Sequence, residues 1–406
     1  MMSLFSNIKN YVPPGIELAS MSTLPFSSIN KITVLGSGVM GHGIAQISAM
    51  AGYDVVLRDI EQSFLDKAME KIRWSLNKMV EKQKLSTQEA DRIFSKISPI
   101  VDLKLALEDA DLLIEAVPED MNLKKKVYAE VDFHALGKTL YASNTSTLPI
   151  TEMAALTGRP DRFIGLHFFN PPQLMPLVEV IPGGRTNQAV VDVAMSFVKK
   201  VGKQPVLCKK DVAGFIVNRI FIPLVHEAAY CQERDGATMT AIDSAVKFRM
   251  SFPMGIFELA DYTGIDVVHK ATVEMHSRDS KVINPHPRVK QLFDEKNFGQ
   301  KTGKGFYEYK GDKYERINLT ADQAATYDPI KLLAVAANNA GWLISNGVCS
   351  KEDLEKALKL GMGLKKELFA TAEEFGVSRV VQTLHEMASR YGSFYSPDGY
   401  LVNYRA

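Results

Sequence analysis

Lys31-Ile32-Thr33-Val34-Leu35 is a β-branched apolar run that stops at Gly36-Ser37-Gly38-Val39-Met40-Gly41 and passes into Ile44-Ala45-Gln46-Ile47-Ser48-Ala49-Met50-Ala51. A strand, a tight glycine turn and a helix, in that order, restrict the fold more than any other stretch of the chain. The first glycine permits the turn, the second lets backbone approach a pyrophosphate, and the third lets helix and strand pack closely, with phosphate at the helix N-terminus. Residues 53–59 supply a second strand whose last residue is an acid, 18 positions after the third glycine. Asp59 can accept hydrogen bonds from both hydroxyls of an adenosine ribose and repels a 2′-phosphate, which favours NAD over NADP, with Arg58 beside it as the contrary sign. Gly36, Gly38, Val39, Met40, Gly41 and Asp59 are therefore the expected cofactor contacts. The alternative is a βαβ unit that binds no nucleotide.

Further apolar runs at 111–117, 140–142 and 164–166 continue the pattern and predict an α/β, Rossmann-type doubly wound sheet. In an open parallel sheet, polar residues just past the carboxyl ends of strands line the ligand crevice, which singles out Glu119, Lys124, Asn144 and Ser146. The run at 164–166 delivers His167 to the same edge. An imidazole takes and gives protons near neutral pH, and a carboxylate on its other ring nitrogen fixes the tautomer and favours the imidazolium. Glu179 lies 12 positions on, and Asn170-Pro171-Pro172 has the turn chemistry to fold the chain back between them. Taken alone, this pattern fits a satisfied core histidine at least as well as a catalyst; its place at the sheet edge favours catalysis.

Between these strands, residues 62–98 predict a projecting helical hairpin. The first helix spans 62–84, and Ser86-Thr87-Gln88-Glu89 offers a cap for the second. Six basic residues on the first (Lys67, Lys71, Arg73, Lys78, Lys82, Lys84) outnumber three acidic ones (Asp66, Glu70, Glu81). That makes either a solvated face or a perch for a phosphorylated substrate handle.

From Asp211 the pattern turns wholly helical, opening on a long helix through Ala229. Asn218 sits among Phe215, Ile216, Phe221 and Ile222, either as an ordinary buried amide or as an NH₂ donor to a substrate oxygen. A repeat follows: Ile242, Ala245, Val246 and Met250 recur as Leu354, Ala357, Leu358 and Met362, an offset of 112 in each case. Asp235-Gly236 is echoed by Asn346-Gly347, and Gly303-Lys304-Gly305-Phe306-Tyr307 by Asp398-Gly399-Tyr400-Leu401. The expected organisation is an N-terminal extension (1–30), a nucleotide domain (31–210), a helical domain (211–309), a polar linker (310–327) and a second, degenerate helical domain (328–406). At the offset of 111 that aligns Gly236 with Gly347, Asn218 falls opposite Pro329, so the second copy lacks whatever Asn218 does.

A chain of 406 residues is too long for one core, in keeping with this division. Its formal net charge of +1 gives no field to draw nucleic acid or a membrane surface, so an anionic ligand must be held by a local patch. Cys208, Cys231 and Cys349 fall in no metal or redox spacing and predict reduced thiols in the cytoplasm. No run is long and apolar enough to span a bilayer. The first 30 residues lack the features of a leader peptide, and Met21 is a candidate start, which would make the first twenty residues a loose tail.

With these pieces placed, residues 31–309 resemble the (S)-3-hydroxyacyl-CoA dehydrogenase family. The resemblance is carried by the glycine motif, Ser143-Asn144-Thr145-Ser146, Gly165-Leu166-His167-Phe168-Phe169-Asn170-Pro171, Leu177-Val178-Glu179-Val180, Gly214-Phe215-Ile216-Val217-Asn218-Arg219 and Lys304-Gly305-Phe306-Tyr307. It implies NAD as cofactor and an acyl-CoA as substrate, with His167 and Glu179 as the catalytic pair and Ser146 and Asn218 holding the reacting oxygen. Glu119 and Lys124 would lie near the nicotinamide, and Ser75 and Lys82 on the hairpin would touch coenzyme A. The site would be complete only when the two domains close. The extra helical domain resembles the tandem arrangement of multifunctional relatives, which implies a monomer with an internal pseudo-dimer as an alternative to a homodimer. Two rival readings are a sister dehydrogenase acting on a non-CoA 3-hydroxy substrate of gulonate or carnitine type, and a silent structural homologue.

Overall fold

The computed structural model describes residues 29–279, 282–311 and 315–405. The expected N-terminal extension, except its last two residues, and residues 312–314 of the expected linker lie outside them.

The nucleotide domain contains strands β1 (Lys31–Leu35), β2 (Asp54–Arg58), β3 (Ile97–Ile100), β4 (Leu112–Glu115), β5 (Leu140–Ser143), β6 (Phe163–Phe168), β7 (Leu177–Pro182) and β8 (Gln204–Leu207). They form one sheet in the order β3-β2-β1-β4-β5-β6-β7-β8. All neighbours are parallel except β6 and β7, whose antiparallel register sets His167 against Glu179. Helices α1 (Gly41–Met50), α2 (Gln62–Glu81), α3 (Thr87–Ser95), α4 (Leu103–Leu107), α5 (Met121–His134), α6 (Ile150–Ala155) and α7 (Gln188–Lys200) connect them. Buried from both faces, β4, β5 and β6 read as continuous apolar runs rather than alternating ones. The expected hairpin over 62–98 runs into β3, an edge strand that tolerates Pro99 because its outer side needs no donor. The Ser86 cap is present, with Ser86 Oγ accepting from Glu89 N and the Glu89 carboxylate from Ser86 N.

The helical region begins later than its sequence implied. Gly214 and Phe215 both have positive φ, 80° and 52°, so the chain turns there and α8 starts only at Val217, running to Asp235. Then come α9 (Met239–Arg249), α10 (Ile256–Thr263), α11 (Ile265–Arg278) and α12 (Pro287–Asp294). The expected linker is not wholly irregular: α13 (Ala321–Ala325), capped by Thr320, packs on α9. The last stretch holds α14 (Ile330–Ser345), α15 (Lys351–Gly361), α16 (Leu368–Phe375), α17 (Val377–Tyr391) and α18 (Gly399–Val402).

The starts of α15, α16 and α17 each fall 112 residues after those of α9, α10 and α11. Side-chain roles correspond as well. Asp243 on α9 accepts from Phe257 N and Glu258 N at the start of α10, at 2.9 and 3.0 Å, and Glu355 on α15 accepts from Leu368 N and Phe369 N at the start of α16, at 2.8 and 3.1 Å. The ring of Phe306 packs on Phe257 as that of Tyr400 packs on Phe369. α14 lies on α8 and α15 on β7 and β8, so one apolar core runs through both helical units and under the sheet.

Asp243 is fully buried, and burial pushes its carboxyl up to about 7; Asp261, which caps the Phe306-Tyr307 turn, is pushed up to about 6 by the same cause. A folded pKa above the unfolded value of about 4 means that the folded state holds the proton more tightly. The resulting stabilisation is fully present below about pH 4 and is lost as pH rises through 6 to 7. Denaturant titrations of Asp243→Asn across pH 4 to 8 should therefore show a shallower fall in stability than the parent, starting from a fold weakened by about 1–3 kcal/mol through mismatched amides.

Candidate active site

Glu179 is fully buried and uses both oxygens. Oε2 lies 2.6 Å from His167 Nδ1, and Oε1 accepts from Ile216 N and Val217 N at 3.0 and 2.9 Å. Those amides open α8, so the helix presents its positive end to the carboxylate. The imidazole is held between Phe169 and Phe215, with ring centroids at 4.4 and 5.9 Å. Asn144 Oδ1 accepts from Phe168 N at 3.0 Å and fixes the end of β6 beside the histidine.

A second polar group lies across the strand ends. Glu119 accepts from Thr145 Oγ1 at 2.5 Å and Ser146 N at 2.9 Å, and pairs with Lys124 Nζ at 3.2 Å. Burial alone would raise its carboxyl, but Lys124 and the two hydrogen bonds outweigh burial and hold it below the usual range. Burial likewise favours neutral Lys124, and Glu115 with Glu119 overcomes it, keeping the ammonium charged. Lys124 meets Glu115 through both carboxylate oxygens at 2.7 and 2.9 Å, which anchors the ammonium that pairs with Glu119. Asn218 Nδ2 donates to Ser146 O at 3.2 Å. With Glu179 on the α8 amides as well, the sheet and helical halves of the site are already joined.

The glycine turn fits a dinucleotide. Gly36 has φ 92°, and a Cβ there would meet Ala116 O at 2.6 Å; a Cβ on Gly41 would stand 1.7 Å from Gly36 O. A Cβ on Gly38 would meet nothing within 4 Å, so the turn is open on the side where a pyrophosphate would approach the α1 N-terminus, whose first turn holds no acid. Val39 and Met40 complete that turn. Asp59 Oδ2 takes Ser37 N and Ser37 Oγ at 2.7 Å each, which places the acid at the turn as ribose recognition requires. Arg58 is committed elsewhere, its Nε donating to Val101 O at 3.1 Å.

Ser75 and Lys82 line a cavity of about 830 Å³ between α1, α2, the end of α7 and the loop that follows His167. Six lysines and no carboxylate line it, and Pro171 and Gln173 place its inner end on the loop that carries the chain from His167 back to Glu179.

Three contributors were not singled out from the sequence. Glu115 is hidden in an apolar strand, where a lone carboxylate signals a buried partner. Phe169 shares the histidine's motif but only the structure shows it against the ring. Gly361, at the end of α15, supports Phe169 from the second helical unit: a Cβ there would meet Leu177 Cδ2 at 2.8 Å, Val217 Cγ2 at 3.1 Å and Phe169 Cε1 at 3.5 Å.

Residues 31–212 match the model of the 3-hydroxyacyl-CoA dehydrogenase NAD binding domain, and residues 214–309 that of its C-terminal domain. The chain belongs to the 3-hydroxyacyl-CoA dehydrogenase family. It is an NAD-dependent oxidoreductase with the α/β fold read from its sequence. The mitochondrial hydroxyacyl-coenzyme A dehydrogenase of Sus scrofa is 40% identical over 305 residues, 72% of this chain and 97% of that one. The 3-hydroxybutyryl-CoA dehydrogenase of Bradyrhizobium diazoefficiens is 39% identical over 287 residues, 70% of this chain and 97% of that protein. The crystal structure of 3-hydroxybutyryl-CoA dehydrogenase from Escherichia coli, 27% identical, superposes with a TM-score of 0.83 over 93% of this chain and 98% of that one, a span that takes in the second helical unit.

Replacing Gly361 by Val should test the support of Phe169. The added methyl groups enter a space closed by buried Leu177 and Val217, so overpacking of about 1–3 kcal/mol outweighs the gain of at most about 0.5 kcal/mol from replacing a helical glycine by a β-branched residue. Dehydrogenase kcat should fall about tenfold through displacement of the histidine ring, with the chain still folded by circular dichroism.

Proposed function

We propose that the protein interconverts (S)-3-hydroxyacyl-CoA and 3-oxoacyl-CoA, acting on short acyl chains such as 3-hydroxybutyryl, through a His167–Glu179 proton relay. The observation that carries this reading is the 2.6 Å contact between His167 Nδ1 and a buried carboxylate whose other oxygen is held by two amides. When bound, NAD supplies the hydride acceptor for oxidation and the donor for reduction. Ionised Glu179 keeps the proton on Nδ1, so the Nε2 lone pair is free to take the proton of the substrate hydroxyl as the C3 carbonyl forms. The imidazolium that results is stabilised by the same carboxylate, and in reduction it returns the proton to the carbonyl oxygen. Ser146 Oγ and Asn218 Nδ2 are the donors assigned to that oxygen, where negative charge develops during reduction. Glu119, Lys124 and Asn144 are assigned to the nicotinamide end of the cofactor, and Gly36, Gly38, Val39, Met40, Gly41 and Asp59 to its pyrophosphate and adenosine.

The CoA thioester is favoured over a free 3-hydroxy acid by the lysine-lined cavity, which runs from the loop after His167 to Ser75 and Lys82. A phosphorylated handle has use for such a cavity, and a small carboxylate does not. The short acyl chain is supported by the 3-hydroxybutyryl-CoA dehydrogenases among the relatives. The second helical unit is read as a degenerate copy of the first that imitates a dimer partner within one chain, supported by the shared offset of 112 and by its packing on α8. All three cysteines are unpaired and buried. They suit the cytoplasm, the reading favoured from the sequence, and equally the mitochondrial interior. Among the described residues no helix is long and apolar enough to cross a membrane.

Oxidation of NADH with acetoacetyl-CoA, followed by absorbance, tests the relay. The parent should turn over, and His167→Gln should lose about 10²- to 10⁴-fold in kcat. Equal rates in the two proteins would exclude His167 as the proton carrier, and absence of activity in the parent would exclude the substrate.

A further inference from the structure

Trp74 is among the most exposed large apolar side chains of the described residues. It is 64% exposed on α2, and a tryptophan on an otherwise charged helix face leaves a large apolar surface in water. The same helix shows what a satisfied side chain looks like: Arg73, next in sequence, turns to α3, where it pairs with Asp91 and lies over the Phe94 ring at 3.8 Å. Trp74 instead faces the lysine-lined cavity with Lys71, Ser75, Lys78 and Lys82, all on one side of α2 at helical spacing. Met50 and Met79 extend the apolar surface beside it.

An exposed indole amid ammonium groups, with no carboxylate in the lining, has the chemistry of a nucleotide platform. The ring offers a flat π face for a base, and the lysines neutralise phosphate. The volume of about 830 Å³ is ample for a purine nucleotide. The two ends of the cavity also have different chemistry: near Pro171 and Gln173 the ammonium of Lys203 is already bonded to Met175 O at 2.9 Å, while Trp74, Lys78, Lys82 and Lys84 come from the hairpin.

We propose that Trp74 stacks on the adenine of the coenzyme A handle and is the residue by which this chain selects the full nucleotide-bearing thioester over shorter thioesters. The inference rests on the acyl-CoA reading above and adds to it a base-recognition element on the hairpin. Stacking there acts on binding far from the reacting carbon, so it changes KM and leaves kcat alone.

Kinetics with acetoacetyl-CoA and with acetoacetyl-pantetheine, which lacks the nucleotide, test it on the parent, Trp74→Ala and Trp74→Phe. Trp74 is largely exposed, so its replacement leaves the core untouched. Trp74→Ala should raise KM for the CoA thioester about tenfold or more at unchanged kcat, leave the pantetheine thioester unaffected, and be partly rescued by Trp74→Phe. Adenosine 3′,5′-bisphosphate should quench tryptophan fluorescence in the parent and not in Trp74→Phe. An unchanged KM in Trp74→Ala, with the parent still preferring the CoA thioester, overturns the role of Trp74 and leaves the acyl-CoA reading standing. A parent that uses both thioesters equally well also overturns the role of Trp74, and a parent that turns over neither overturns the acyl-CoA reading with it.

Discussion

The Glu179 carboxylate carries no exposed surface, yet from its place on β7 it makes three contacts to two other parts of the chain: the imidazole on β6 and two amides at the opening of α8. A buried carboxylate is tolerable only when its lone pairs are met, and here they are met by the groups that define the site. Removing the side chain would leave an imidazole and two amides without their partner, so tautomer, helix position and domain junction depend on one group. The antiparallel turn of β7 against an otherwise parallel sheet makes this possible. Had β7 run parallel, a crossover would have separated His167 from its carboxylate; the reversal puts the two in register.

The same economy of satisfied charge recurs at Glu115, Lys124 and Glu119. Lys124 is buried with two carboxylates around it, and Tyr128 and Ser143 add hydrogen bonds to Glu115, so the cluster has fixed geometry and little freedom to relax. Glu119 is its one member with an exposed edge, and it organises the Thr145-Ser146 backbone that Asn218 meets from the helical side. A fixed cluster of this kind holds the Thr145-Ser146 backbone in place, which under the proposed mechanism keeps the Ser146 hydroxyl positioned without reorganisation. The second helical unit takes part through Gly361, which lets α15 close on Leu177, Val217 and Phe169.

Much of this was legible in the chain because it rests on local rules. The glycine turn needs its glycines, β1 and the central strands need unbroken apolar runs, and His167 could be placed at the sheet edge by counting strands. What escaped depends on distant partners. The turn chemistry of Asn170-Pro171-Pro172 foretold that the chain folds back to His167, but residues 177–182 do not themselves show the pairing and register, because a buried strand looks the same in either direction. The late start of α8 follows from positive φ at Phe215, a residue type that rarely adopts it. β3 was lost to the helix before it because a short edge strand around Pro99 has no pattern of its own. Gly361 stands almost two hundred residues from Phe169, and only the packing of α15 makes it relevant.

The account makes one claim on which the others lean: in the free protein Glu179 holds the proton on Nδ1 of His167 and leaves Nε2 unprotonated. Nitrogen-15 NMR of histidine-labelled protein at neutral pH, with the His167 signals assigned by their loss in His167→Gln, reads this state directly. The prediction is a protonated-type shift for Nδ1 and an unprotonated-type shift for Nε2, with the order lost in Glu179→Gln. A proton on Nε2 instead, or the same tautomer with and without the Glu179 carboxylate, would contradict it.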